Sequence, residues 1–256
     1  MSNRPPASPP RAVLLDVGGT LWPDGFPLPG AEGDHQVEAV RRALPGLSAD
    51  LARALIREVH ARFQRRYEGP GAPEDLAQDT QGELAAALRA LGLEPPPAGL
   101  DALRRALIVP ASPDYLFPGV PELLREVRRL GLRAVLVSNT YLRTGAEYLE
   151  DFERFGLRAL LDGAVTSVDV GLRKPHRAVF ESALRVAGAP PEACVMVGNS
   201  ERDDIAPARA LGMRTVRVVR DGPPPEGTAA DALAAGPAEV AAVLRRWAEG
   251  AGAPGA

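Results

Sequence analysis

The stretch AVLLDVGGTLWP, residues 12–23, joins a short apolar run to an aspartate and a glycine-rich turn. Four apolar residues are too few for a helix but suit a strand that is buried on both faces. Asp16 ends the run, and Gly18 and Gly19 follow where the backbone must turn or approach another group closely. The pattern predicts a buried strand that delivers a carboxylate to the edge of a sheet.

Further short apolar runs alternate with segments of helical periodicity in the rest of the chain. Such alternation predicts an α/β fold with a doubly wound parallel sheet. The predicted strands lie near residues 12–16, 133–139, 163–167, 193–199 and 214–220. The predicted helices of this part lie near residues 120–131, 144–156, 175–188, 203–212 and 237–249.

Residues 24–115 have helical patterns and no strand-like run. Helices are predicted near 34–44, 49–67, 74–91 and 99–109. In the second of these, apolar residues recur every four positions from Leu51 to Tyr67, with Ser48 placed as N-cap. We therefore expect a helical module, residues 24–115, inserted into an α/β core. The core comprises residues 11–23 and 116–248, and we expect disordered tails at residues 1–10 and 249–256.

Composition narrows the classes of partner. The chain has 256 residues, 45% of them hydrophobic, and a net charge of −3, so no basic field would attract nucleic acid or an anionic membrane. No apolar run approaches the roughly 20 residues that span a bilayer. The single cysteine, Cys194, excludes an internal disulfide and has apolar neighbours. We expect a cytoplasmic protein, monomeric or homodimeric, that acts on a small molecule.

Polar residues follow four of the predicted strands. Because parallel strands end at one edge of the sheet, these side chains should converge at a ligand-binding crevice. Lys174 stands out, since it is the only lysine among the 30 Lys and Arg residues. The compact ammonium of lysine and the wide planar guanidinium of arginine are not interchangeable, so Lys174 is a candidate functional residue. The converging residues are Asp16, Ser138, Asn139, Lys174, Asn199, Asp203 and Asp204.

These motifs resemble those of the haloacid dehalogenase superfamily of hydrolases, most of whose members are phosphatases. DVGGTL matches the first family motif, VSN the second, GLRKPHRAVF the third and VGNSERDDIAPARALGM the fourth, in the family's order. The helical module resembles the family's mobile cap. The resemblance covers nearly the whole α/β core and implies a phosphatase that acts on a small phosphorylated metabolite.

The resemblance also implies a role for each matched residue. Asp16 would be the nucleophile that carries the phosphoryl group as an aspartyl phosphate, and Lys174 would neutralise the charge that develops there. The implied substrate-binding residues are Gly19, Thr20, Ser138 and Asn139, although Thr20 suits fixing the turn better than contacting substrate. The implied magnesium ligands are Asp16, Gly18 through its carbonyl group, Asn199 and Asp204, with Asp203 as a further charged neighbour.

Two positions depart from the family pattern. Gly18 stands where family phosphatases carry a second aspartate, the general acid and base, and Asn199 stands where a metal-binding aspartate is usual. The loss of a positioned acid or base typically lowers a rate by about 10² to 10⁴. The residues that could replace the missing acid are His35, Asp24 and His176.

The departures leave three hypotheses open. The first is a slow or narrow-range Mg²⁺-dependent phosphatase. The second is a metal-independent 2-haloacid dehalogenase, because the dehalogenases of this family also lack the second aspartate. The third is a weakly active phosphate-binding or regulatory domain, which would gain nothing from a buried carboxylate that faces the anion. Substrate specificity should reside in the helical module, where Arg62, Arg65, Arg66 and Tyr67 cluster, although such a charge run is more typical of a solvated face.

Overall fold

The computed structural model describes residues 9–24, 33–67, 77–220, 222 and 226–250. Its centre is a six-stranded, all-parallel sheet with the strand order β3-β2-β1-β4-β5-β6. The strands are β1 (Ala12–Leu15), β2 (Arg133–Ser138), β3 (Gly163–Thr166), β4 (Cys194–Gly198), β5 (Arg214–Val218) and β6 (Ala232–Ala234).

Strand β1 lies in the middle of the sheet, where Leu14 pairs with Val135 of β2 on one side and Met196 of β4 on the other. All four residues of β1 are buried, as its unbroken apolar run requires. The order runs outward from β1 through β2 to β3 in one direction and from β4 to β6 in the other. The strand order thus reverses between β1 and β4, and Asp16 follows β1 at this switch point.

Helices cover both faces of the sheet, which confirms the doubly wound α/β class. One face packs against helices that contribute Val127, Phe152 and Leu244 to its apolar cluster, and the other packs against helices that contribute Phe180 and Ala208. The helices of this part are α5 (Val120–Arg129), α6 (Gly145–Arg154), α7 (Ser167–Val170), α8 (Arg177–Ala187), α9 (Ala206–Ala210) and α10 (Pro237–Glu249).

The helical module has an apolar cluster of its own. The stripe on its second helix forms the centre of this cluster, where Leu55, Val59 and Phe63 are fully or almost fully buried. Ser48 caps that helix as predicted, since its Oγ accepts from the amide of Leu51 at 3.2 Å. The helices of the module are α1 (Asp34–Ala43), α2 (Ala49–Tyr67), α3 (Thr80–Ala90) and α4 (Asp101–Ala106). The inserted helical bundle is therefore confirmed as part of the fold.

The elements differ from the sequence prediction at several places, among them the short helix α7, which was not predicted. Strand β6 was not predicted, because ALA is too short and too weakly apolar to stand out as a strand. The predicted helix near 203–212 is a π-helical turn, Glu201–Ile205, followed by α9. The predicted helix near 74–91 begins only at Thr80, and residues 74–76 lie outside the described part.

Most of the two predicted tails, residues 1–8 and 251–256, also lies outside the described residues. Within the described part, the last helix extends to Glu249. None of the helices in the described ranges is both long and apolar enough to cross a membrane. Cys194 is buried, and burial raises the pKa of its thiol to about 11, which confirms it as a packing residue.

Candidate active site

A tight turn after β1 shapes the site. The amides of Leu21 and Trp22 both donate to the carbonyl oxygen of Val17, and the amide of Gly19 donates back to Trp22 O at 2.7 Å. The Trp22 ring is buried and stacks on Tyr148, with ring centroids 5.6 Å apart. Because the turn folds back on itself and is anchored by a buried indole, the residues on both sides of it are held at the same edge of the sheet.

Asp16 lies at the start of this turn and is almost buried, with 6% of its surface exposed. Its Oδ1 accepts from Lys174 Nζ at 2.6 Å, and its Oδ2 accepts from Thr20 Oγ1 at 2.9 Å. The two contacts fix the rotation of the carboxylate. A carboxylate that is held in one orientation is suited to attack an electrophile.

Lys174 is buried at the centre of the site. Besides Asp16, its ammonium donates to Asp204 Oδ1 at 2.6 Å and to Val137 O at 3.0 Å. Burial acts to lower the pKa of Lys174, but the charges of the two carboxylates outweigh it and raise the pKa above its ordinary value. The side chain is therefore a permanent positive charge beside Asp16.

The Asn139 side chain binds the backbone of Lys174. The carboxamide Oδ1 of Asn139 accepts from the Lys174 amide at 2.8 Å, and its Nδ2 donates to Lys174 O at 3.0 Å. Both ends of the carboxamide are thus used to position the lysine. Asn139 also lines the cavity, and its predicted contact with substrate stays a prediction.

Asp204 shares Lys174 with Asp16. Its Oδ2 accepts from the Ser200 amide at 3.1 Å, so both of its oxygens have a partner in the protein. Burial raises the pKa of Asp204 to about 7, with a further contribution from the nearby Asp16 charge and against the lowering effect of Lys174. One buried ammonium does not fully compensate two buried carboxylates.

Asp16 opens into a cavity of about 810 Å³ between the sheet edge and the helical module. Its lining combines polar side chains with apolar and aromatic ones, which is typical of a small-molecule site. The lining from the sheet domain includes Asp16, Gly18, Asp24, Ser138, Asn139, Tyr141, Arg173, Lys174, Asn199, Asp203 and Asp204. The lining from the module includes His60, Gln64, Tyr67, Leu107 and Ile108.

The structure brings most of the predicted site residues to this cavity, but Gly19 and Thr20 do not line it. The Gly19 amide is used inside the turn, and the Thr20 hydroxyl is used on Asp16. A Cβ on Gly19 would lie 2.1 Å from Asn199 Nδ2, and its φ of +71° also favours glycine. Gly19 therefore permits close packing at the turn, and Thr20 orients the Asp16 carboxylate.

The three candidates for the missing acid fall in different places. Asp24 lines the cavity, and Asn199 Nδ2 donates to its Oδ2 at 3.1 Å. His176 is the N-cap of α8, where its Nδ1 accepts from the Ala178 amide at 3.2 Å. His35 is exposed in the first turn of α1. Of the three, only Asp24 is part of the cavity lining.

Sequence reasoning missed Arg173. Its guanidinium lies 4.5 Å from the Tyr67 ring centroid and 5.6 Å from that of Tyr141, and its Nη1 donates to Gln78 Oε1 at 2.9 Å. Arg173 thus joins the sheet domain to the module at the cavity wall. The available signal was its position next to Lys174, which was masked by the abundance of arginine in the chain.

The three arginines at the end of α2, Arg62, Arg65 and Arg66, do not line the cavity. Arg62 and Arg65 contact Glu58, and Arg62 and Arg66 contact Glu83, at 3.0 to 3.6 Å. These pairs fit the solvated charged face that the sequence favoured. Of the four residues singled out there, Tyr67 lines the cavity.

Comparison with known proteins agrees with this arrangement. The chain is 30% identical over 209 residues to a glyceraldehyde 3-phosphate phosphatase of Methanothermobacter thermautotrophicus, which covers 81% of this chain and 85% of the relative. It is 33% identical over 214 residues to a phosphoserine phosphatase of Thermus thermophilus, with 82% of each chain covered.

Among solved structures, a 2-haloacid dehalogenase from Pseudomonas syringae has the same fold, with a TM-score of 0.62 and 21% identity over 93% of this chain and 99% of that one. The model of the haloacid dehalogenase-like hydrolase family matches residues 10–212, which include all the cavity residues named above. The chain is a hydrolase that belongs to the haloacid dehalogenase-like family.

Proposed function

We propose that this hydrolase is a Mg²⁺-dependent phosphatase that acts on a small phosphorylated metabolite through an aspartyl-phosphate intermediate. The observation that carries the proposal is the environment of Asp16. Its carboxylate is fixed by Lys174 and Thr20 at the switch point of the sheet, and it lines a cavity of small-molecule size. The family relatives that cover most of the chain are named phosphatases.

In the proposed first step, an Asp16 carboxylate oxygen forms a bond to phosphorus as the bond between phosphorus and the leaving oxygen breaks. Lys174 balances the negative charge that gathers on Asp16 and on the phosphoryl oxygens. Ser138 lines the cavity, where its hydroxyl would donate to a phosphoryl oxygen. In the second step, water attacks phosphorus and regenerates Asp16.

The donor set of the cavity fits magnesium. Within the described residues, no cluster of three or more His, Cys, Asp and Glu side chains is arranged to hold a metal. Magnesium, however, usually takes one or two carboxylates together with water and substrate phosphate oxygens. Asp16, Asn199, Asp204 and the Gly18 backbone line the cavity and would hold it, and the carboxylate oxygens of Asp16 and Asp204 also accept hydrogen bonds from the protein. When bound, the ion would neutralise charge on the transferred phosphoryl group.

The substrate class follows from the cavity and the relatives. The relatives named above act, by their names, on glyceraldehyde 3-phosphate and on phosphoserine. Both compounds are three-carbon phosphate monoesters, which a cavity of about 810 Å³ admits with room for water. We propose a phosphate monoester of this size as the substrate. The predictions of a cytoplasmic monomer or homodimer stay predictions.

The test is an assay of phosphate release from glyceraldehyde 3-phosphate, phosphoserine and p-nitrophenyl phosphate, with Mg²⁺ and with a chelator. We expect Mg²⁺-dependent release by the native protein. The Asp16→Asn variant should lose at least about 10³-fold in rate, because its side chain is no nucleophile. A matched control is Asp114→Asn, a carboxylate change on the short helix Pro113–Tyr115, which should leave the rate unchanged.

Two outcomes would contradict the proposal. Chloride release from 2-chloropropionate without metal, and no phosphate release, would identify a dehalogenase of the same fold. Absence of turnover in both assays, with inorganic phosphate still bound in calorimetry, would identify a phosphate-binding domain.

A further inference from the structure

Asp24 occupies space that a side chain at position 18 would fill. A Cβ built on Gly18 would lie 2.8 Å from Asp24 Oδ1. In an aspartate, standard bond lengths place each Oδ about 2.4 Å from its own Cβ. The Asp24 carboxylate therefore reaches the region where a carboxylate carried by residue 18 would lie, although it comes from six positions further along the chain.

The turn after β1 explains how Asp24 arrives there. The hydrogen bond from Gly19 to Trp22 O and the isolated pairing of Gly18 with Trp22 bring the end of the turn back to its start. The buried Trp22 ring and the bond from the Phe117 amide to Leu21 O at 2.8 Å hold this return in place. Asp24, two residues beyond Trp22, is delivered beside Gly18 by a fixed piece of backbone.

Resting on the proposed phosphatase function, we propose that Asp24 is the catalytic acid and base of this enzyme, in place of a side chain at position 18. In the first step, the Asp24 carboxyl group gives its proton to the leaving-group oxygen as the bond between that oxygen and phosphorus breaks. In the second step, the Asp24 carboxylate takes a proton from the water that attacks phosphorus, while the bond from phosphorus to the Asp16 oxygen breaks. Asp24 thus recovers in the second step the proton that it gives in the first.

The leaving group provides the first test. An alkoxide must be protonated as it leaves, whereas p-nitrophenolate is stable without a proton. We expect Asp24→Ala to lower kcat/KM for phosphoserine or glyceraldehyde 3-phosphate, whichever the native protein hydrolyses faster, by about 10² to 10⁴. For p-nitrophenyl phosphate the loss in kcat/KM should stay below about tenfold, and a burst of one nitrophenolate per enzyme should appear as the phosphoenzyme accumulates.

Rescue from position 18 provides the second test. Gly18 has no positive φ, so its backbone accepts an L-residue. Gly18→Asp alone should not raise the rate, because its Cβ would lie against Asp24 Oδ1 and bring two carboxylates together. In the Asp24→Ala background the space is empty, and Gly18→Asp should recover at least about tenfold of the lost kcat/KM for the alkyl phosphate. His35→Gln is the matched control from the same stretch of chain and should match the native protein.

Different results separate the proposals. If the native protein releases no phosphate from any of the three esters, the phosphatase function itself fails. If the native protein is active and Asp24→Ala affects both kinds of leaving group equally, or not at all, the role of Asp24 is overturned. Calorimetric titration with Mg²⁺ alone adds an independent readout. We expect the Mg²⁺ dissociation constant of Asp24→Ala to stay within about threefold of native, and loss of binding would overturn the acid and base role.

Discussion

Lys174 and Arg104 are both buried cations, and each contacts two carboxylates and one backbone carbonyl oxygen. Lys174 donates to Asp16, Asp204 and Val137 O at 2.6 to 3.0 Å. Arg104, on α4 of the helical module, makes a two-pronged contact with Glu147 of the sheet domain at 2.7 and 2.8 Å. It also donates to Asp101 Oδ1 at 2.9 Å and to Leu142 O at 2.5 Å.

The pKa of Asp204 and the pKa values of the two carboxylates around Arg104 shift in opposite directions. Burial raises the pKa of Asp204 to about 7. Around Arg104, burial acts to raise the pKa of Glu147, but the hydrogen bonds from Arg104 and Thr144 outweigh it and hold the pKa below its ordinary value. The hydrogen bond from Arg104 likewise lowers the pKa of Asp101.

The two clusters differ in the shape of the cation and in the solvent exposure of the carboxylates. The planar guanidinium matches the two oxygens of Glu147, and the second carboxylate, Asp101, has 59% of its side chain exposed. The carboxylates around Lys174 are at most 8% exposed and meet a point charge. The Arg104 cluster therefore joins the module to the sheet domain, whereas the Lys174 cluster brings two buried carboxylates and one ammonium together at the cavity.

Exchanging the two cations should have the largest effect. Lys174→Arg should lower kcat/KM for the best phosphate ester by about 10³-fold, since the wide fork cannot take the place of an ammonium between Asp16 and Asp204. Arg104→Lys should leave kcat/KM within about threefold but lower the free energy of unfolding by about 1 to 3 kcal/mol, since the two-pronged contact is lost. Steady-state kinetics and urea unfolding measure the two effects.

Arg177→Lys is the surface control for this exchange, because its pair with Glu181 is largely exposed. Arg177→Lys should change neither kcat/KM nor the free energy of unfolding measurably. An active Lys174→Arg enzyme, or an Arg104→Lys variant that loses activity at unchanged stability, would show that the two clusters do not differ in the way inferred.

Removing the charge of Glu147 should have the next largest effect. Glu147→Gln keeps the shape of the side chain and an acceptor for the Thr144 amide, but of the two carboxylates that contact buried Arg104 it leaves only Asp101. We expect a loss of about 2 to 4 kcal/mol in the free energy of unfolding, measured by urea denaturation. Glu150→Gln, on an exposed position of the same helix, is the control and should cost less than about 0.5 kcal/mol. Equal losses in both variants would contradict a structural role for the Arg104 pair.

The two clusters also differ in how far the sequence predicts them. Asp16 and Lys174 could be found, because each follows a strand-like run or a family motif and because Lys174 is the only lysine in the chain. Arg104 is one arginine among 29, and its partner Glu147 lies 43 positions away, in a capping-box pattern with Thr144 that does not point to Arg104. A single ion pair between two packed units leaves no periodic trace in sequence, whereas a strand that ends in a polar residue does.

The same distinction applies to the finer features of the site. The buried runs predict five of the six strands, but β6 depends on its neighbour β5 for its existence and has no signal of its own. Asp24 appeared only as one of three candidate acids, because its place beside Gly18 depends on the return of the turn through Trp22. Sequence therefore predicts which strand ends meet, and three-dimensional packing decides which side chains meet there.

The pH dependence of stability should show the smallest effect, with opposite signs for the two clusters. The pKa of Asp204 is about 7 in the folded protein and ordinarily 3.8, so between these pH values the folded state keeps a proton that the unfolded chain releases. Its contribution to the free energy of unfolding must fall as pH rises from about 4 to about 7. The pKa of Glu147 is lowered from 4.5, so its contribution is present above that pH and is lost as pH falls through the lowered value.

Unfolding by urea at pH 4 to 8 measures both trends in the native protein and two variants. Relative to the native protein, the free energy of unfolding of Asp204→Asn should rise by at least about 1 kcal/mol between pH 5 and pH 8. The reason is that one pKa unit corresponds to about 1.4 kcal/mol. The slope is the readout, because the Asn amide facing the Ser200 amide adds a cost that is independent of pH. The deficit of Glu147→Gln should instead be constant from pH 5 to 8 and shrink below about pH 4.5. Parallel curves for native and Asp204→Asn would mean that Lys174 compensates Asp204 as fully as Arg104 compensates Glu147, and the contrast between the two clusters would then be one of position alone.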